Sequence, residues 1–264
     1  MISIIIPALN EAHWLPSLLR DIGDQTFSNH EVIVADAHST DATRKIAESR
    51  GCTVVDGGLP GVGRNAGARV ARGDYLVFLD ADVRIGKDFI EKAFAEFRAR
   101  RLGLAICTFL PDSRESVAVF LYRTYNVVVR AGEHLWPNVA GGAFLITTRR
   151  LFERLGGYDE TMMVTEDNDL ISRARKISRV GVLHSVQCTA SIRRIVKEGP
   201  VRYLSMVLFT KAYQLFCGKV RSCKLLWFEY GWGDGSGHPA DQAAERSDTL
   251  GDHGRSARWK TPVR

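Results

Sequence analysis

Asp80 and Asp82 flank a single alanine at the end of an apolar run, YLVFLDADV (Tyr75–Val83). In extended chain, side chains two residues apart point to the same face. Two carboxylates ~6 Å apart repel by roughly 3 kcal/mol at an effective dielectric near 20. Solvation in an open turn would relieve that repulsion. A divalent cation would offset it more strongly, and hard oxygen ligands suit Mg2+ or Mn2+ beside a substrate phosphate. Other polar or acidic residues sit at comparable places. Asn10 and Glu11 follow ISIIIPA, Asp36 ends HEVIVAD, and Asp56 ends TVVD. Farther on, Thr165-Glu166-Asp167 precedes a helical pattern, where acids are also favoured by the helix dipole alone.

Residues placed in this way need strands that end on a common rim. The first hundred residues supply the pattern. Ile2–Ile6, Glu31–Ala35, Cys52–Val55 and Tyr75–Leu79 read as strands. Between them, Glu11–Ile22 carries Leu15, Leu18, Leu19 and Ile22 at helical spacing. A short helix is expected around Asp41–Arg50, capped by Ser39 or Thr40, and another after Gly61. Asp88–Arg101 presents Phe89, Ile90, Ala93, Phe94 and Phe97 on one face. This alternation predicts an α/β fold with a largely parallel sheet, whose ligands bind at the carboxyl ends of the strands. The second half is less regular. Strands are expected at Leu104–Phe109 and Gly141–Thr147, with a short one, GVL, before His184. Helices are expected at Val117–Val129, at Arg149–Leu155 up to Gly156 and Gly157, and from a Thr165 cap to about Ile177. From Gly231 the chain turns Gly-rich and polar, with five acids against five bases, and reads as a flexible tail.

The 264 residues carry a net charge of +6, unevenly: Ile171–Lys224 holds twelve Lys/Arg against one acid, Glu198. Such a block suits phosphates, anionic lipid or nucleic acid; phosphate and lipid, rather than nucleic acid, are the expected partners. VRYLSMVLFTKAYQLFC (Val201–Cys217) is apolar with two cations. It suits either a membrane interface or a core or dimer helix. The apolar start is short and lacks a basic flank, and no 18-residue uncharged apolar stretch occurs, so neither a leader nor a spanning helix is expected. Five scattered cysteines, without metal spacing, suit reduced thiols. The expected location is cytoplasmic, at the inner face of a membrane if the basic apolar segment docks there.

Gly61-Val62-Gly63-Arg64-Asn65-Ala66 matches G-x-G-x-x-A, which opens a dinucleotide-binding alternative, an NAD-dependent oxidoreductase. Against it, Asp56–Pro60 separates the strand from these glycines, and Asp82 is left without a role.

Taken together, IIIPALNE (Ile4–Glu11), VIVADAHSTDAT (Val32–Thr43), GRNAGARVARGDYLVFLDADV (Gly63–Val83) and GGYDETMMVTEDNDL (Gly156–Leu170) resemble, in this order, the inverting family 2 glycosyltransferases of GT-A fold. The resemblance covers about Met1 to Ile177. It departs at Ala37, where the family often has a second acid.

The resemblance implies a Rossmann-like, mixed, mostly parallel sheet flanked by helices. Residues 1–103 would form a nucleotide-sugar donor half, residues 104–230 an acceptor half, and residues 231–264 the tail. It implies metal-dependent transfer, with Mn2+ or Mg2+, of a sugar from a UDP- or GDP-sugar to a hydroxyl of a saccharide or lipid-linked acceptor. Asp82 would be the main metal ligand and Asp80 would lie near the ribose or metal shell. Asp36 would contact the nucleobase or ribose, Pro7, Ala8, Asn10 and Glu11 would shape the nucleotide pocket, and Arg64 would line it. Asp167 would be the general base, with Glu166 beside it. Gly141 and Gly142 would underlie the acceptor, Arg193 and Arg194 would meet a phosphate, and His184 is a candidate further metal ligand. One alternative shares the fold, a polyprenyl-phosphate sugar synthase; a rival of a different class is a non-catalytic sugar-nucleotide binding module.

Overall fold

Ile2–Ala8 forms strand β1, buried at all seven positions. That is what a continuous β-branched run requires, because a central strand covered on both faces has no solvent side. In the computed structural model, which describes residues 1–135 and 143–217, β1 pairs in parallel with β2 (His30–Asp36) and with β4 (Tyr75–Leu79), and β2 pairs in parallel with β3 (Thr53–Asp56). The crossovers run through α1 (Leu15–Gly23), α2 (Thr43–Ser49) and α3 (Pro60–Val70). Helix α1 buries the predicted stripe Leu15, Leu18, Leu19 and Ile22. Neither Ser39 nor Thr40 caps α2. Asp41 accepts from the Thr43 amide at 2.9 Å, while Ser39 and Thr40 bond across to Asn10 and so tie the loops after β1 and β2 together.

Helix α3 settles the glycine pattern. Pro60 occupies its first turn, where the missing N–H costs nothing. Gly61 and Gly63 therefore lie inside the helix rather than in a phosphate-cradling turn. A Cβ on Gly67 would come within 2.5 Å of Ile5 Cγ2. Gly67 lets the helix lie close on β1, and with Gly61 and Gly63 inside the helix the support for the dinucleotide alternative is removed.

The sheet continues through β5 (Val83–Arg84), β6 (Leu104–Pro111), β7 (Phe144–Thr148) and β8 (Val180–Ala190) in the order β3-β2-β1-β4-β7-β6-β8-β5. Of its seven pairings, four are parallel; β7 runs antiparallel to both β4 and β6, and β5 to β8. The remaining helices are α4 (Phe89–Ala99), α5 (Ser116–Leu135), α6 (Arg149–Arg154), α7 (Glu166–Arg175), α8 (Arg193–Glu198) and α9 (Pro200–Cys217). One apolar core gathers α1 and α4 on one face of the sheet, and a second gathers α6 and α7 on the other. Gly141, Gly142 and the expected tail lie outside the described residues, and β7 begins at Phe144.

The expected short strand before His184 is instead the first part of an eleven-residue strand broken by a bulge. Cys107 pairs with Leu183, but Thr108 pairs with Gln187, so His184, Ser185 and Val186 have no partner in β6. Glu96 on α4 takes over two of the amides freed there: its carboxylate accepts from His184 N at 2.9 Å and from Ser185 N at 2.8 Å. Burial would raise its pKa, but the bonds from Ser185, Arg100 and His184 outweigh burial and hold it at about 2. A depressed folded pKa means stability present above the unfolded value near 4.5 and lost as pH falls toward 2. Glu96→Ala is therefore expected to cost about 2 kcal/mol at pH 7. The difference from the native chain should shrink at pH 3, as read by urea unfolding at the two pH values.

Candidate active site

The carboxyl ends of β1 and β4 open onto a cleft of about 320 Å³ that Pro7, Glu11, Asp80 and Asp82 line on the sheet side. Short strand β5 follows Asp82 at once, and its pairing with Thr189 and Ala190 of β8 draws the start of α8 over the cleft. Arg193 then reaches three carboxylate oxygens. It donates to both oxygens of Glu11, at 2.8 and 2.9 Å, and its Nε lies 3.1 Å from Asp82 Oδ2. Burial opposes the charge on Arg193, but Asp82 and Glu11 outweigh it and raise its pKa. For Asp82 and Glu11, burial is the largest influence and raises both pKa values despite the pull of Arg193.

The opposite wall comes from α3 and α7. Arg64 is buried and bridges Asp80 at 2.8 Å and Glu166 at 2.5 Å, with Asp167 Oδ1 at 3.7 Å. Its guanidinium also lies over the Tyr158 ring, 5.4 Å from the centroid. The neighbouring Asn65 fixes the loop that carries Tyr158. Its side chain accepts from the Tyr158 amide and donates to the Tyr158 carbonyl, both at 2.9 Å. The Arg-Asn pair read from the sequence thus splits its work: Arg64 serves the cleft, and Asn65 holds GGYDE against α3.

Thr165 precedes α7 with a φ of 64°, left-handed backbone that a β-branched residue rarely adopts. It does not cap the helix, contrary to the sequence expectation; its hydroxyl donates to the Val164 carbonyl at 2.5 Å. Such a conformation costs about 1–3 kcal/mol and persists where surrounding contacts over-determine it. The result is a sharp entry that buries both Glu166 and Asp167 at the cleft. Oδ1 of Asp167 is buried 3.7 Å from the Arg64 guanidinium, and the Tyr158 hydroxyl beside the carboxylate also favours its charged form. Burial raises the Asp167 pKa, Arg64 opposes that, and Glu166 and Asp80 push it further, to about 7.

Asp80 and Asp82 are each engaged by an arginine, Asp80 by Arg64 at 2.8 Å and Asp82 by Arg193 at 3.1 Å. Among the described residues lining the cleft, five carboxylates face three arginines, Arg64, Arg193 and Arg194. No group of three or more His, Cys, Asp or Glu able to hold an ion occurs among the described residues. An ion at Asp80 and Asp82 would complete its shell with phosphate oxygens and water, as Mg2+ does.

Other predicted site residues stand elsewhere. Ala8, Asn10 and Asp36 do not line this cavity. Asp36 is buried at the end of β2, 3.5 Å from Arg44. His184 is not a cleft residue either: its Nε2 lies 3.3 Å from Glu133 on α5, so the bulge aims it away from Asp80 and Asp82. Conversely, Tyr122, Tyr203 and Met163 line the cleft without having been singled out. Helical periodicity located the α5 segment but could not say which of its edges meets α8 and α9.

With this geometry established, the chain can be set beside known proteins. The family described as Glycosyl transferase family 2 matches residues 3–164. An uncharacterized glycosyltransferase of Haemophilus influenzae is 30% identical over 182 residues, which is 65% of this chain and 60% of that protein. The 4,4'-diaponeurosporenoate glycosyltransferase of Staphylococcus haemolyticus is 32% identical over 143 residues, 51% of this chain and 34% of that one. The chain thus spans from about a third to three-fifths of the length of these relatives. Among solved structures, the mannosyltransferase PcManGT from Pyrobaculum calidifontis, in complex with GDP-Man and Mn2+, superposes with a TM-score of 0.62 and 21% identity, over 96% of this chain and 76% of that one. TarS of S. aureus, in complex with UDP-GlcNAc, gives a TM-score of 0.59 and 21% identity, over 72% and 58%. The fold is GT-A, and with a family match across well over half of its residues the chain belongs to glycosyl transferase family 2.

Proposed function

We propose that this protein transfers a sugar from a nucleoside-diphosphate donor, a UDP- or GDP-sugar, to an acceptor hydroxyl in a single inverting displacement. One observation carries the reading: Asp167 presents a buried carboxylate, at a pKa of about 7, in the same cleft as Asp80 and Asp82. A general base is most effective when its pKa lies near the working pH. Asp167 takes the acceptor proton as that oxygen attacks the anomeric carbon from the face opposite the diphosphate. Arg64 holds Asp80 and Glu166 in place while leaving Asp167 Oδ1 beyond hydrogen-bond reach. Asp82, with Asp80 beside it, would hold a divalent ion, Mn2+ or Mg2+, which would supply Lewis-acid charge at the donor diphosphate. Pro7 and Glu11 shape the donor side, and Arg193 and Arg194 face phosphate. Residues 1–103 act as the donor half and residues 104–230 as the acceptor half. The donors in the solved PcManGT and TarS complexes support the nucleotide-sugar assignment.

Asp82→Ala tests the ion site without an assay of turnover. With saturating UDP or GDP, Mn2+ is expected to raise the melting temperature of the native protein by about 5–10 °C. In the variant the Mn2+-linked part should vanish. A retained shift would overturn the assignment. A polyprenyl phosphate acceptor is the second reading, favoured by exposed Arg194 at the cleft and by the apolar exposure of the adjoining α9. Competition between saccharide and polyprenyl phosphate in one transfer assay separates the two.

A further inference from the structure

Twelve large apolar residues are exposed among the described side chains, and nine of them lie on α5, α8 and α9. On α9, Val201, Leu204 and Leu208 recur at helical spacing and are 82%, 43% and 61% exposed. On α5, Phe120 and Val127 are each 67% exposed, one helical stripe apart from the buried Ala118 and Val129. The described side chains of Val201–Thr210, expected in a membrane interface or in a core or dimer helix, thus leave a broad apolar face exposed. These helices also share a charge pattern. Every exposed charged residue among their described side chains is a cation: Arg123 and Arg130 on α5, Arg194 and Lys197 on α8, and Arg202 on α9. Their acids turn inward: Glu133 bonds Arg100, and Glu198 is 14% exposed and holds Arg202 at 3.0 Å.

We propose that the outer faces of α5 and α9 dock on an anionic lipid bilayer. Apolar residues at helical spacing, edged by cations that follow Phe120 and Val127 by three positions, are the composition of a helix lying in a membrane interface. A second copy of the chain fits less well. A two-fold interface sets a patch against itself, so five cations would meet like cations. Docking also places the cleft usefully. The inner sides of α5, α8 and α9 pack together through Ala118, Tyr122, Ile195 and Tyr203, and the last three of these also line the cleft. A bound bilayer would lie against the helices that wall the cleft, within reach of a lipid-borne acceptor. No described helix is long and apolar enough to cross the membrane, so the docking proposed for α5 and α9 is in its interface.

Co-sedimentation of the full chain with vesicles tests this. Binding is expected to vesicles of phosphatidylcholine with about one-third phosphatidylglycerol at low salt, to weaken as salt rises, and to be at least about tenfold weaker to phosphatidylcholine alone. Leu204→Ser with Leu208→Ser should lower partitioning about tenfold or more, and so should Arg123→Glu with Arg130→Glu, which removes no apolar contact. Circular dichroism confirms folding of each variant. Absence of binding to the anionic vesicles, or binding unchanged in both variants, overturns the proposal. So does a concentration-dependent dimer in sedimentation velocity that the serine variant abolishes. The vesicle readout holds whether or not Asp167 is the base, and Mn2+-linked nucleotide binding, unaffected by these variants, reports on the transferase reading separately.

Discussion

Asp167→Asn is expected to lower turnover by about 10²–10⁴-fold while nucleotide-sugar affinity stays within a factor of about two. The amide keeps the shape of the carboxylate but cannot take the acceptor proton. The pH profile supplies a second readout. Because the base acts when ionised, kcat/KM of the native enzyme should climb through a pKa of about 7 to a plateau above it; the variant should lack that limb. Stability should move the other way. The Asp167 carboxyl has a folded pKa above its unfolded value of about 3.8. Its favourable contribution is therefore complete below pH 3.8 and is lost as pH rises toward 7. At pH 8 the native protein carries an ionised, buried carboxylate, whereas the variant carries a neutral amide. Asp167→Asn should accordingly melt higher than the native chain at pH 8 and gain little at pH 4. Unchanged turnover would defeat the base assignment.

Arg64→Met should be the most destabilising single substitution in the cleft, at about 3–5 kcal/mol near pH 8. Methionine replaces the volume of the stem but leaves Asp80, Glu166 and Asp167 facing one another without the cation that bridges them. The penalty belongs to the ionised carboxylates, so it should shrink by pH 5 as Asp167, now without Arg64 to oppose its protonation, carries a proton. Urea unfolding at the two pH values measures the difference. A loss under about 1 kcal/mol at both would show that the charges of the cleft are screened and that Arg64 is not its keystone.

Much of this arrangement was legible from residue types. The β-branched run of β1, the leucine stripe of α1 and the D-x-D ending of β4 each obey a local rule, and local rules show in a single segment. Asp80 and Asp82 sit where strand ends of an α/β sheet share a rim, which the alternation predicts, and Arg64, Glu166 and Asp167 reach that rim from α3 and α7. What could not be read depends on long-range register. The contact of Arg193 with Glu11 spans 182 positions and exists because two residues of β5 pair with β8. His184 looked available for metal because the bulge that turns it toward Glu133 has no signature in GVLHS. Thr165 looked like a cap because Ser and Thr are favoured at that position; its left-handed backbone, with the hydroxyl on the Val164 carbonyl instead, has no signature in VTEDN. The G-x-G-x-x-A match misled because Gly61 and Gly63 lie inside helix α3, which already begins at Pro60.

The surplus of three residues in β8 has one more effect. Leu183 and Cys188 are five positions apart, yet both point into the same core, although an unbroken strand would send them to opposite faces. Absorbing an odd surplus by sliding would invert every side chain from Gln187 to Ala190 and carry the chain about 10 Å along its neighbour. Parity therefore acts as a ratchet: the strand has no cheap intermediate position, and the guanidinium opposite Asp82 stays where it was set.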